Sequence, residues 1–224
     1  LVFNFDSQGV EVTAVSDFSV IPTATEYHQL PSTSILEAIQ ETLSARISGI
    51  SDDAWSPPAA MQESLQKDLN SGTTMFLSAL TMTADRKGVQ IDDDCIIPLG
   101  PFSHALDAVL TAQCPSLVDV VGSVLNRVEA DRRGIVMNNV IVTGECPSLE
   151  LMTFALRSTL ASSSVMAVSD FSADSQPTAM AFRGIPEYYH EIKDTGRASI
   201  AWFGASLAGK YAFADSKTFI PSKN

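Results

Sequence analysis

With 224 residues, 45% of them hydrophobic and 18% charged, the chain is long enough for one large domain or two small ones with a stable apolar core. No apolar run approaches the ~20 residues needed to cross a bilayer, and no secretory signal pattern opens the chain. The net charge of -12, with 14 Lys and Arg scattered along the chain, argues against an autonomous nucleic-acid binder, because phosphate contacts need clustered cations.

Residues 1–21, LVFNFDSQGVEVTAVSDFSVI, read as a hairpin. An apolar strand leads into a turn at Asp6-Ser7-Gln8-Gly9, and a second strand mixes Val10, Val12 and Val15 with polar residues. Residues 34–47 read as a helix, with Ile35, Ile39, Leu43 and Ile47 four apart on one face behind Ser and Thr cap candidates. Residues 48–60, SGISDDAWSPPAA, are a loop or linker. Helical periodicity returns over 61–83, interrupted at Asn70-Ser71-Gly72. Residues 84–100 read as a short polar hairpin at an edge. Asp92-Asp93-Asp94 within it lacks the alternating ligands of a calcium loop and is expected to be a solvated turn.

From Pro115 the pattern sharpens. Leu117, Val120, Val121, Val124, Leu125 and Val128 fall on one helical stripe that ends at Asp131-Arg132-Arg133, and NNVIVTGE follows as a buried strand with a glycine turn. A second helix starts after Pro147 with Leu149, Met152, Leu156 and Leu160 inward. Residues 162–178 have no strong pattern, 182–194 form an aromatic-rich loop, and SIAWFGASLAGKYAF closes as a helix against the sheet. This order of elements predicts an α/β fold.

That last helix holds Gly204 and, five residues on, Gly209-Lys210, most of the spacing of a phosphate-binding loop. Tyr211 stands where a small hydroxyl should hold Mg²⁺, and Ala205-Ser206-Leu207-Ala208 favours continuous helix, so the phosphate-loop reading is set aside. His28, His104 and His190 lack metal-ligand spacing and are expected to be surface or satisfied structural residues. Cys95, Cys114 and Cys146 form no CxxC pair; reduced core thiols of a cytosolic or nuclear protein are expected. No G-x-S-x-G elbow accompanies the serines, which leaves a serine triad without support. Trp202 and Phe203 are assigned to the core, and Tyr188 and Tyr189 to a protein interface.

The run NRVEADRRGIVMNNVIVTGECPSLELMTFALRSTLA, followed by SIAWFGASLAGKYAF, resembles the C-terminal half of actin and the actin-related proteins. In that family a helix, an aspartate-arginine pair, a strand ending in Gly-Gly and a further helix precede an aromatic-Gly-Gly-Ser helix. The opening LVFNFDSQGVEVTAVSDFSVIPTA looks like the hairpin that begins the family's second large lobe. The resemblance covers both ends of the chain and is poor over 50–95. QPTAMAFRGIPEYYHEIKDTGRASIAWFGASLAGK is similar to a segment of the divergent actin-related subunits of fungal SWI/SNF-type and RSC-type chromatin remodellers. The pointed-end actin-related subunit of dynactin is the runner-up branch.

The resemblance implies a ribonuclease H-like lobe of the sugar-kinase/actin superfamily. Residues 1–49 would start the large lobe, 50–95 would be a divergent accessory subdomain, and 96–224 would complete the lobe. It also implies nucleotide-binding turns at Asp6-Ser7-Gln8-Gly9 and at Gly144-Glu145, both altered. The first lacks a residue, a glycine and the second aspartate of the family's Asp-x-Gly-Asp-Gly, and Gln8 would crowd the backbone approach to phosphate. In the second, Glu145 puts bulk and negative charge where a nucleotide would pack, and Pro147 removes an N–H donor. Hydrolysis is expected to be absent and ATP binding weak or lost, with no metal site.

The resemblance further implies a nuclear scaffold subunit. Its partners would be a second actin-related protein or actin and a helical segment of a motor ATPase, with no direct nucleic-acid or membrane contact. An enzyme of the same superfamily whose first lobe lies outside this chain is the alternative class. Leu1 stands where a start methionine would, so the chain is expected to be a fragment, a processed form or the ordered part of a longer protein.

Overall fold

Alternating apolar residues at the start of the chain build the sheet. The computed structural model describes residues 1–17, 19–47, 81–82, 88–92, 95–145, 149–162, 180–184, 202 and 204–206. Strands β1 (Val2–Phe5) and β2 (Gly9–Ser16) pair antiparallel, Phe3 opposite Val12 and Phe5 opposite Val10. These four side chains and Ala14 are buried together on one face, while the alternate positions Val2, Asn4 and Glu11 fall on the other. The expected hairpin is therefore present, with its turn at Asp6–Gly9.

The sheet continues where the sequence reading stopped. Asp17 takes a left-handed φ of 51°, tolerable for a short polar side chain, and strand β3 (Ser19–Gln29) returns antiparallel along β2. Helix α1 (Ser32–Ile47) follows with Ile35, Ile39 and Leu43 buried as the four-residue spacing predicts. Its start is tied to the first turn, since the Ser32 N–H donates to the Ser7 carbonyl at 3.2 Å.

A second sheet is formed by β4 (Thr81–Met82), β5 (Gly88–Asp92) and β6 (Cys95–Pro98), all antiparallel. The polar hairpin is thus β5 and β6. Thr81–Met82, read as the end of a helical stretch, is a strand instead; residues 48–80 lie outside the described residues. Helix α2 (Leu99–Thr111) then buries Leu99, Phe102, Leu106 and Leu110. The sequence reading missed it. Pro101 lies in its first turn, where the missing N–H would have had no helical acceptor.

Helix α3 (Leu117–Asn126) carries the predicted stripe, and Leu117, Val120, Val121, Val124 and Leu125 are buried, as is Val128 just beyond it. A capping box opens it: Ser116 Oγ accepts the Asp119 N–H at 3.2 Å, and Asp119 Oδ2 accepts the Ser116 N–H at 2.9 Å. Asp131-Arg132-Arg133 does not end this helix. It lies inside a separate helix, α4 (Ala130–Met137), from which Arg133 reaches back to the Val128 carbonyl at 2.9 Å and the Asn126 carbonyl at 3.2 Å. Those bonds satisfy carbonyls at the α3 C-terminus and set the break between the helices.

Strand β7 (Ile141–Gly144) pairs parallel with β1, and helix α5 (Leu149–Ser162) buries Met152, Leu156 and Leu160 as predicted, with Leu149 only partly covered. The main sheet has the order β3-β2-β1-β7. Val140 is bridged in parallel to Phe182 beyond it, through bonds to Ala181 and from Arg183 of 2.9 and 2.8 Å. Helix α2 packs against α1 and α5, and α3 lies against β2 and β3. The chain divides into two units, Leu1–Arg183 and Gly184–Asn224. The first is a mixed α/β unit in which helices flank a mixed four-stranded sheet.

Candidate functional site

The two turns singled out in the sequence meet at one edge of the sheet. Because β1 and β7 run parallel with Phe5 opposite Gly144, both strands end side by side, and Asp6–Gly9 and Gly144-Glu145 leave from the same edge. Ligands of α/β sheets bind outside the C-terminal ends of parallel strands, which makes this edge the candidate site. The Glu145 N–H donates to the Phe5 carbonyl at 2.7 Å, extending the ladder one step past the strand.

The first turn is closed on its own carboxylate. Asp6 Oδ1 accepts the N–H groups of Gln8 and Gly9, both at 2.7 Å, and the Tyr27 hydroxyl donates to Oδ1 at 2.9 Å and Oδ2 at 3.2 Å. The Asp6 N–H in turn donates to the Gly9 carbonyl at 2.9 Å. The Gln8 N–H, and then the Tyr27 hydroxyl, hold the Asp6 carboxyl below the usual carboxylate range. Desolvation, reinforced by Asp6, pushes the Tyr27 phenol up.

Both glycines are demanded by the backbone. A β-carbon at Gly9 would overlap the His28 carbonyl and crowd the Tyr27 ring, so Gly9 is what lets β2 start against β3. Gly144 has a φ of 108°, and a β-carbon there would overlap the Phe5 carbonyl. These contacts explain each glycine without a phosphate.

Anion binding at a strand-end turn needs N–H donors without an internal acceptor. Here the N–H groups of Asp6, Gln8, Gly9 and Glu145 all donate within the protein. A phosphate would have to displace the Asp6 carboxylate from Gln8 and Gly9 and sit beside the exposed Glu145. The edge presents carboxylates and a half-exposed phenol, a surface suited to cationic rather than anionic groups. Among the described residues, no group of three or more His, Cys, Asp or Glu side chains could hold a metal ion.

The remaining sequence candidates scatter. Tyr188, Tyr189, Phe203, His190, Asp93, Asp94 and Pro147 lie outside the described residues, and Asp92 closes β5. Trp202, assigned to the core, is helical and 73% exposed, a correction: its ring is left largely to solvent. Cys114, expected as a core thiol, is exposed in the segment between α2 and α3. His104 is exposed on α2. His28 is buried on β3, but its Nε2 has no hydrogen bond, so the expectation of a satisfied histidine fails there. Tyr27 is the site residue that sequence reading missed. Its place beside Asp6 follows only from pairing Glu11 with Tyr27, and β3 was not recognised as a strand.

Comparison of the chain with protein-family models and with curated proteins returned no match.

Proposed function

We propose that this chain is a catalytically silent, actin-related scaffold subunit of an ATP-dependent chromatin-remodelling complex. In this reading it works in the nucleus, docked on a helical segment of the motor subunit and on a second actin-related protein. Tyr188 and Tyr189 are its proposed partner contacts. The observation that carries the proposal is the meeting of Asp6–Gly9 and Gly144-Glu145 at adjacent parallel strand ends. The sequence resemblance names these turns as the nucleotide turns of one lobe, and pairing across 139 positions brings them together (144 minus 5).

The chemistry of the turns supports the silent part of the reading. The Asp6 carboxylate takes the Gln8 and Gly9 donors that a triphosphate would need. The net charge of -12 favours a basic partner over a nucleic acid. The test is affinity purification of the tagged protein at native abundance. A stoichiometric helicase-type motor and a second actin-related protein support the proposal; dynactin components, or a free monomer that hydrolyses ATP, would overturn it.

A further inference from the structure

The outer strand of the main sheet has two unlike halves. β3 is 11 residues long and, among the described residues, pairs with β2 alone. The Leu30 N–H donates to the Gln8 carbonyl at 3.1 Å, which fixes Gln8 and Leu30 as a hydrogen-bonded pair. Antiparallel alternation then makes Val10 with His28 and Val12 with Glu26 the bonded pairs. It turns the N–H and C=O groups of Thr25, Tyr27 and Gln29 away from β2.

The first half of this edge is defended in the ways that keep strands from pairing with other chains. Pro22 has no N–H to offer, and the pairing slips between Thr13 and Val15. Arg127 Nη1 donates to the Thr23 carbonyl at 3.3 Å, while its Nη2 lies 3.4 Å from Glu26 Oε2. From Thr25 to Gln29 there is no proline, lysine or slip in register. Among the described residues, the covered side-chain polar atoms with neither a hydrogen bond nor an ion-pair partner are Thr25 Oγ1 and His28 Nε2, both in this stretch. Native chains satisfy nearly all such atoms, so their confinement to four consecutive residues marks this half as different from the rest.

The geometry points to Thr25–Gln29 as a docking edge that accepts an extended, basic segment of a partner protein as an added strand. Main-chain bonds to Thr25, Tyr27 and Gln29 would hold the segment, and alternate side chains would set its identity. Glu11 is directly opposite Tyr27, and Asp6 holds the Tyr27 hydroxyl, so the outward face beside the edge is acidic. Lysine or arginine at every second position of the partner meets those carboxylates. A second copy of this chain is the wrong occupant, because it would bring Glu11 and Asp6 against their own like on a chain of net charge -12. This inference does not require the actin-related reading.

Amide exchange of the full chain, read residue by residue by NMR, tests it with a synthetic peptide of alternating lysine and threonine, about eight residues long. In the protein alone, the Thr25, Tyr27 and Gln29 amides should exchange quickly and those of Glu26 and His28 slowly. At a peptide concentration about ten times its Kd, exchange at Thr25, Tyr27 and Gln29 should slow about tenfold. An acidic peptide of alternating glutamate and threonine should have no effect. Thr25→Lys, which keeps the backbone donor and places a cation on the edge, should abolish the protection, as should Glu11→Lys at an exposed position. The inference is overturned if the three amides are already slow in the protein alone, if the basic peptide leaves them unchanged, if the acidic peptide protects them equally, or if they become protected by concentration-dependent self-association.

Discussion

Gly144 and Phe5 face each other across the β1–β7 pair so closely that a β-carbon on Gly144 would overlap the Phe5 carbonyl oxygen. This contact fixes the relation of the two strand-end turns, and it gives glycine at 144 a purely structural reason. Gly144→Ala would add that overlap to a side chain held at a φ of 108°. It should lower unfolding stability by about 3 kcal/mol or more, read from the urea midpoint. Gly134→Ala is the control, since nothing lies within 4 Å of a β-carbon there and it sits inside α4. It should be stabilising by about 0.5–1 kcal/mol.

The Asp6 turn should be acid-sensitive. Its carboxyl is held below the usual range in the folded state by Gln8, Tyr27 and Gly9. The turn's contribution is therefore complete above the unfolded carboxylate pKa and is lost as pH falls through the lower folded value. Thermal melting from neutral pH downward should show wild type and Asp6→Ala furthest apart at neutral pH and converging below about pH 4. Tyr27→Phe should move the wild-type curve part of the way toward Asp6→Ala.

His28 works at a different pH. Burial lowers its pKa, and its Nε2 has no hydrogen bond, so the folded chain favours the neutral ring. A depressed folded pKa means that the neutral form's advantage is present above the unfolded value, about 6.5, and is lost as pH falls below it. Stability should fall as the pH is lowered through this range, and His28→Leu should remove that part of the slope. An unchanged slope would place the titrating group elsewhere.

The capping box at α3 is a local test of the core scaffold. Ser116→Ala removes the acceptor of the Asp119 N–H and should cost about 1 kcal/mol in denaturant unfolding, with Ser116→Thr recovering most of it.

Local pattern carried the sequence reading where a single strand or helix decides its own burial. Phe3, Phe5, Val10 and Val12 alternate as a buried strand pair must, and Val120, Val121, Val124 and Leu125 repeat as one helix face must. The reading failed where context outranks pattern. β3 carries proline and polar residues that only an edge strand tolerates, so it did not look like a strand. The sequence reading assigned no element to residues 101–114, and the spacing of Leu99, Phe102, Leu106 and Leu110 was the signal that could have revealed α2, whose first turn accepts Pro101. The candidate site was half legible. Its turns were named from their glycines, but their adjacency depends on parallel pairing between residues far apart in the chain, and Tyr27 enters only once β3 is in place.

The central claim is that the Asp6, Gln8, Gly9 and Glu145 N–H donors, committed within the protein, leave too few for a triphosphate to be held. The direct measurement is the melting temperature of the purified chain titrated with Mg-ATP. A ligand present at about 100 times its Kd adds about 2.7 kcal/mol to stability, an easily measured rise. The account predicts no saturable shift at millimolar Mg-ATP for wild type. A saturable rise that disappears when Gly144 or Asp6 is replaced by a folded variant would contradict it.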